Sequence, residues 1–281
     1  MSKIIHLSLG LIHHPHICVC IPHLSIGLIK FTILLNGDFK LADGIFITSL
    51  SAVSQTQTVI ACWICGSHAE DFVELGCRTA VVVGGQKTGL FLDQRDNQAL
   101  AARLAKGGDV LDVFSHVGGF GLAALAGGAT SALAVDGSRA ALDLAEQGAQ
   151  KSGVADRFST NVGDAFEAMA GLIAEGRKFD VVICDPPAFA PAKPALEAGL
   201  RAYERIARLG AQLVADGGYL VLCSCSHAAG LEAFRTASLR GIGKAGRSTQ
   251  IIHTGQAGPD HPVHPHLAES AYLKSIFLRM L

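Results

Sequence analysis

Two short segments carry residues able to do covalent chemistry. Ser224-Cys225-Ser226 closes an apolar run, Gly218 to Ser224, and Asp185-Pro186-Pro187-Ala188-Phe189 closes another, Lys178 to Asp185. A thiol just past a strand end is suited to nucleophilic addition. C5 of a pyrimidine is unreactive until something adds at C6, and Cys225 has the type and place for that addition. The two prolines fix a rigid, extended loop that is cheap to order and that aims Asp185 at a planar acceptor. There a carboxylate takes the hydrogens of an exocyclic amine, or engages N3 and N4 of a cytosine. Asp185 alone does not choose between these, and the sequence names no base for removing a C5 proton. Cys223 and Cys184 lie at strand positions whose alternation marks them as core thiols.

A second group of residues has the pattern of a nucleoside site. The turn Asp112-Val-Phe114-Ser-His-Val-Gly118-Gly119-Phe-Gly121 lets the backbone approach a ligand before a helix begins. Asp136 follows about 20 residues after that strand, a spacing suited to holding ribose hydroxyls, with Ser138 just beyond it. Asp164 is placed to accept an adenine amino group, or to cap a helix, and Ala165 or Phe166 to touch the ring. The turn is not a Gly-x-Gly-x-x-Gly phosphate cradle. With no diphosphate site and with an Asp-Pro-Pro loop after the fourth strand, the expected cofactor is S-adenosyl-L-methionine rather than a dinucleotide.

These residues need a frame. From Asp109 onward short apolar runs alternate with Ala/Leu-rich stretches, the signature of a parallel sheet covered on both faces. Strands are predicted over Asp109–Phe114, Ser131–Asp136, Arg157–Asn161, Lys178–Asp185 and Gly218–Ser224. A closing antiparallel pair is predicted over Ser248–Thr254 and Tyr272–Arg279. Helices are expected after Ser138, with Ala140, Leu142, Leu144 and Ala145 turned to a core, and over Leu196–Val214. Phe72–Val83 and Leu90–Asp93 suggest a small β ribbon. The expected fold is α/β: a Rossmann-like, mostly parallel seven-stranded sheet of the class I methyltransferase kind, preceded by that ribbon. The expected divisions are 1–70, an atypical N-terminal segment; 71–98, the ribbon linker; and 99–281, the catalytic domain.

Composition sets the outer bounds. A chain of 281 residues with 49% hydrophobic content supplies a substantial core. Eight cysteines without a regular framework fit a reducing cytoplasm. A net charge of -1 excludes a uniformly basic grip on nucleic acid, so any RNA must be held by a local patch. Residues 1–70 stand apart: five of the twelve His fall by His23 and no Arg precedes Arg78. His13, His14, Pro15, His16 and Pro22 interrupt the apolar run and Lys30 cuts its end, which argues against a membrane span, and no clear charge layout or Ala-x-Ala-like site marks a signal peptide. Cys62-Trp-Ile-Cys65 and Cys18-Val-Cys20 form no paired zinc knuckle, and no metal is expected. Residues 1 to about 65 read as an atypical or misassigned translation.

Several motifs in order complete the picture: Gln86-Lys87-Thr88-Gly89 through Asp93-Gln94-Arg95-Asp96-Asn97, Phe114 to Phe120, Asp185 to Phe189, Ser224 to Ser226, Asp260-His-Pro262 and Tyr272-Leu-Lys274. From about Phe72 onward the chain resembles the bacterial large-subunit ribosomal RNA cytosine-C5 methyltransferases of the one-cysteine kind, without the N-terminal PUA domain usual there. The resemblance implies Cys225 as nucleophile, Asp136, Asp164 and Asp185 as cofactor and active-site acids, and Lys87, Gln94 and Arg95 along the cleft. It implies methylation of a cytosine, with 23S RNA as the expected partner. Gln94 is assigned to the cofactor side. Lys87, Arg95, Pro186, Pro187, Phe189 and Arg201 are assigned to the substrate side. Arg201, Arg205 and Arg208 share a helix face suited to phosphates, although Glu197 and Glu204 also fit an ordinary solvated face. Two other readings stay open: a methyltransferase acting on guanine or a small molecule, and a cofactor-binding protein without productive RNA binding.

Overall fold

The computed structural model describes residues 58–60, 81–83 and 91–281. Lys87 and the Gln86–Gly89 motif, the cysteine pairs at 18–20 and 62–65 and the His13–His16 cluster lie outside the described residues. Strands β1 (Thr58–Ile60) and β2 (Val81–Val83) form an antiparallel ribbon. The ribbon's first strand thus lies upstream of where it was expected. Leu92 and Asp93, expected at the end of a strand, lie in a 3-10 turn (Leu92–Gln94) that runs into helix α1 (Arg95–Leu104). The Asn97 side chain explains the turn, since its Nδ2 reaches back to Gln94 Oε1 at 2.6 Å.

The remaining strands are β3 (Asp109–Val113), β4 (Ser131–Asp136), β5 (Phe158–Val162), β6 (Phe179–Cys184), β7 (Val214–Ser224), β8 (Thr249–Gly255) and β9 (Lys274–Met280). They form one seven-stranded sheet in the order β5-β4-β3-β6-β7-β9-β8. The first five of these pair in parallel, while β9 runs antiparallel to both β7 and β8. The order reverses between β3 and β6, and in such sheets ligands bind beyond the carboxyl ends of the strands at that reversal.

Helices α2 (Gly119–Ala126), α3 (Arg139–Lys151), α4 (Ala165–Ala174), α5 (Leu196–Leu213) and α6 (Leu231–Lys244) cover the sheet. Alternation along the strands divides the core. Leu111, Val113, Val182, Leu220 and Leu222 meet α4, α5 and α6. Val110, Val181, Ile183, Val221 and Phe277 meet α1, α2 and α3. Cys184 belongs to the first group and Cys223 to the second, both fully buried, as the alternation had suggested.

Two details differ from expectation. Ala140 is exposed and Ala141 takes the inward place, because capping by Ser138 starts the helix at Arg139. β7 begins at Val214, not Gly218, because a register shift against β6 carries the strand through Asp216-Gly217-Gly218. Gly217 takes φ +76°, and a Cβ on Gly218 would stand 2.6 Å from the Asp180 carbonyl oxygen. Glycines here continue a strand that they would ordinarily end. Among the described residues no helix is long and apolar enough to cross a membrane.

Candidate active site

The loop after β3 is built from unusual backbone. Phe114 (φ 61°), His116 (φ 49°) and Gly118 (φ 77°) all take left-handed conformations, disfavoured for side-chain-bearing residues. The loop is tied down at both ends: Ser115 N donates to Val135 O at 3.1 Å and Gly118 N to Ser115 O at 2.8 Å. Gly118 has no room for a side chain, since a Cβ would lie 3.1 Å from Ala145 Cβ and 3.3 Å from the Phe158 ring. Gly119 opens α2 with no side-chain cap over its amides.

Asp136 links this loop to the next. Its Oδ2 accepts from His116 N and its Oδ1 from Ser138 N, each at 2.8 Å. Ser138 Oγ in turn accepts from Ala141 N at 3.2 Å and caps α3. Gly163 N donates to Asp136 O at 3.1 Å, which draws the loop after β5 alongside. Asp164 caps α4, its Oδ1 accepting from Phe166 N and Glu167 N, so the helix-cap reading of this residue is realised. Ala165 is buried behind it.

Asp112 lies buried at the end of β3. Its Oδ2 accepts from Gly121 N at 2.8 Å, and its Oδ1 has no hydrogen-bond partner among the described residues. Burial, reinforced by the nearby Asp136, pushes its carboxyl up to about 7 despite the Gly121 bond. Two neighbouring acids, one with an orphaned oxygen, call for a cation and hydroxyl donors. S-adenosylmethionine carries a sulfonium, an ammonium and a ribose diol, and so fits this pair.

The acceptor half lies across the β3/β6 reversal. Asp185 N donates to Val113 O at 3.2 Å, joining the loop after β6 to the end of β3. Asp185 is half-buried, Pro186 buried, Pro187 exposed and Phe189 half-buried. Phe114, Phe166 and Phe189 form an aromatic group with centroids 6.2–6.4 Å apart. The Arg205 guanidinium lies 4.4 Å above the Phe166 ring. Arg201 is exposed and faces Glu197 on its own helix at 3.7 Å, the solvated-face arrangement weighed above.

The Ser-Cys-Ser segment is held from behind. Ser224 Oγ donates to Tyr203 OH at 2.8 Å, and Tyr203 OH and Ser226 Oγ share a bond of 2.7 Å. Ala190 N, from the Asp-Pro-Pro loop, donates to the same Ser226 Oγ at 2.9 Å. Both serines are buried in this network, and the Cys225 between them stays half-buried. Burial and the Asp185 carboxylate push its thiol up, while Lys274 pulls it down.

Further groups border the cysteine. Tyr272 OH donates to Asp93 Oδ2 at 2.6 Å, and burial with this bond raises the phenol. Asp93 Oδ1 is buried without a hydrogen-bond partner among the described residues. Gln94 is buried beside Asp93, bonded to Asn97, which also accepts from Ser275 Oγ at 3.0 Å. Arg95 pairs with Asp260 at 2.8 Å at the exposed rim. Sequence reasoning gave no site role to Tyr203 or Lys274, and read Arg205 only as one of three arginines on a helix face suited to phosphates. The first was legible in principle: two serines closing an apolar strand require a buried polar partner.

Residues 53–279 match the family described as S-adenosylmethionine-dependent methyltransferase. A protein of Methanocaldococcus jannaschii, provisionally named a ribosomal RNA large subunit methyltransferase, is 40% identical over 218 residues, 76% of this chain and 55% of its own. Ribosomal RNA large subunit methyltransferase I of Aeromonas hydrophila is 40% identical over 197 residues, covering 69% of this chain and 49% of its own. The chain thus spans about half the length of these curated relatives. Among solved structures, SMU.776, a provisionally assigned methyltransferase complexed with S-adenosylhomocysteine, matches with TM-score 0.66 at 22% identity, over 81% of this chain and 57% of that one. That likeness is one of fold. These matches correct the resemblance drawn from the motifs: they identify the broad methyltransferase family and relatives named methyltransferase I, not the one-cysteine cytosine-C5 group.

Proposed function

We propose, since the chain belongs to the family of S-adenosylmethionine-dependent methyltransferases, that it methylates C5 of a cytosine in large-subunit ribosomal RNA in the cytoplasm, through addition of Cys225 to C6. The names of the curated relatives support the RNA acceptor. The observation that carries the chemistry is the half-buried Cys225 thiol at the end of β7, backed by the Ser224–Tyr203–Ser226 network.

When bound, S-adenosylmethionine supplies an electrophilic methyl group. Asp136 and Ser138 hold its ribose side, Asp164 and Ala165 its adenine side, and Gly118 and Gly119 give the close backbone approach. Phe114 and Gln94 border the same site. Asp112 offers its spare oxygen to positive charge.

On the acceptor side Asp185 engages N3 and N4 of the cytosine, between Pro186, Pro187 and Phe189. Binding there directs the Asp185 charge to the base and relieves its repulsion of a Cys225 thiolate. The thiol releases its proton to solvent, sulfur bonds to C6 as the C5–C6 π pair moves to C5, and C5 would then take the methyl group, the methyl–sulfur bonding pair staying on the departing thioether. Loss of the C5 proton to solvent water then returns the C5–H electron pair to C5–C6 and expels the thiolate. Lys87, Arg95 and Arg201 are proposed to meet the RNA at the rim.

The test is transfer of labelled methyl to large-subunit RNA from a strain lacking the gene, with nucleoside analysis of the product. The wild-type chain yields labelled 5-methylcytidine and Cys225→Ala reduces it to background. Undiminished transfer by Cys225→Ala, or label on guanine, contradicts the reading.

A further inference from the structure

Lys274 opens β9 within an apolar strand, and its buried ammonium is satisfied by backbone oxygens. Nζ donates to Ser226 O at 2.6 Å and to Ala229 O at 2.9 Å. Both carbonyls belong to the loop that follows Cys225. Lys274 also sits directly opposite Ser224 in the antiparallel β7–β9 pair, so the sheet register fixes where the ammonium lies. Carbonyl dipoles compensate a buried charge only in part. The uncompensated field falls on what lies nearest.

The titratable groups around Cys225 come from several elements. Asp185 follows β6, Asp93 precedes α1, Tyr203 lies on α5, and Tyr272 and Lys274 belong to the β9 approach. Among these described groups Lys274 alone is cationic. It opposes Asp185 and Asp93, whose charges both disfavour a thiolate. The same cation therefore has a mechanical hold on the loop and an electrostatic hold on the sulfur.

We propose that Lys274 is a positioning residue for Cys225, clamping the Ser226–Ala229 loop and supplying the positive charge beside which the thiolate forms and to which it returns. This deepens, and rests on, the reading of Cys225 as nucleophile.

The measurement is the pH profile of Cys225 alkylation by iodoacetamide, read by peptide mass spectrometry on the full chain, with binding of S-adenosylhomocysteine as the check of a folded site. Lys274→Met and Lys274→Gln should raise the midpoint by about one pH unit, a roughly tenfold smaller thiolate fraction below the midpoint. Lys274→Arg should stay near wild type. Gln keeps hydrogen-bond donors without the charge and Met keeps neither, so the two profiles compared separate the charge from the clamp. Neutral variants that follow the wild-type profile overturn the proposal. Loss of S-adenosylhomocysteine binding in both neutral variants also overturns it, by assigning Lys274 to folding. The alkylation readout needs no RNA. A failed Cys225 mechanism would appear instead as methyl transfer by Cys225→Ala, with the Lys274 shift intact.

Discussion

At the scale of the residue, the site holds some of its charges, Asp93, Asp112 and Lys274, out of reach of water. Asp112 shows the cost. Its carboxyl is held at about 7 in the folded chain against 3.8 for an ordinary aspartate, so between those pH values the folded state binds a proton that the unfolded state has lost. Stability from this group is therefore greatest below about pH 4, declines as pH rises toward 7, and stays reduced above it. Three pH units correspond to roughly 4 kcal/mol, an upper figure because local relaxation weakens it. Asp112→Asn should stabilise the ligand-free chain at pH 8 and have little effect at pH 4, while weakening S-adenosylmethionine binding. Denaturation curves at the two pH values check the first part and calorimetry the second. Equal effects at both pH values would mean that the carboxyl is not perturbed as described.

At the scale of the element, what matters is how α5 and β9 hold the end of β7. Tyr203 reaches from α5 to both serines flanking Cys225, and Ser226 also receives the Asp-Pro-Pro loop through Ala190 N. Tyr203→Phe should cost about 1–3 kcal/mol of stability, and should lower methyl transfer more than it weakens S-adenosylhomocysteine binding. Thermal melts and paired assays read this; unchanged transfer would deny the network a part in placing Cys225. The strands that hold these groups were legible because apolar runs and turn residues alternate cleanly after Asp109. β7 was the exception, since Gly217 and Gly218 look like a break and serve as a bulge. As candidates, the acids and the cysteine could be picked out because their types stand out at strand ends. Lys274 was hidden: its partners are carbonyls of a loop 45 to 48 residues away in sequence, and backbone acceptors leave no mark on residue type.

At the scale of the whole molecule, the reversal of strand order between β3 and β6 brings the Asp112–Asp136–Asp164 half against the Asp185–Cys225 half. In the proposed mechanism both halves are needed. With a net charge of -1, the proposed RNA would have to be gripped locally, and Arg205 over Phe166 beside Phe189 offers one cation next to aromatic faces. The central claim joins both halves: a thiol from one attacks a base whose neighbouring carbon takes a methyl group held by the other. It is tested most directly by incubating the full chain with S-adenosylmethionine and large-subunit RNA containing 5-fluorocytosine, whose fluorine prevents the final loss of a proton. The account predicts a denaturation-resistant protein–RNA adduct that requires S-adenosylmethionine for the methylated form and maps by peptide mass to Cys225. Methylated RNA without any such adduct, or an adduct that persists in Cys225→Ala, would contradict it.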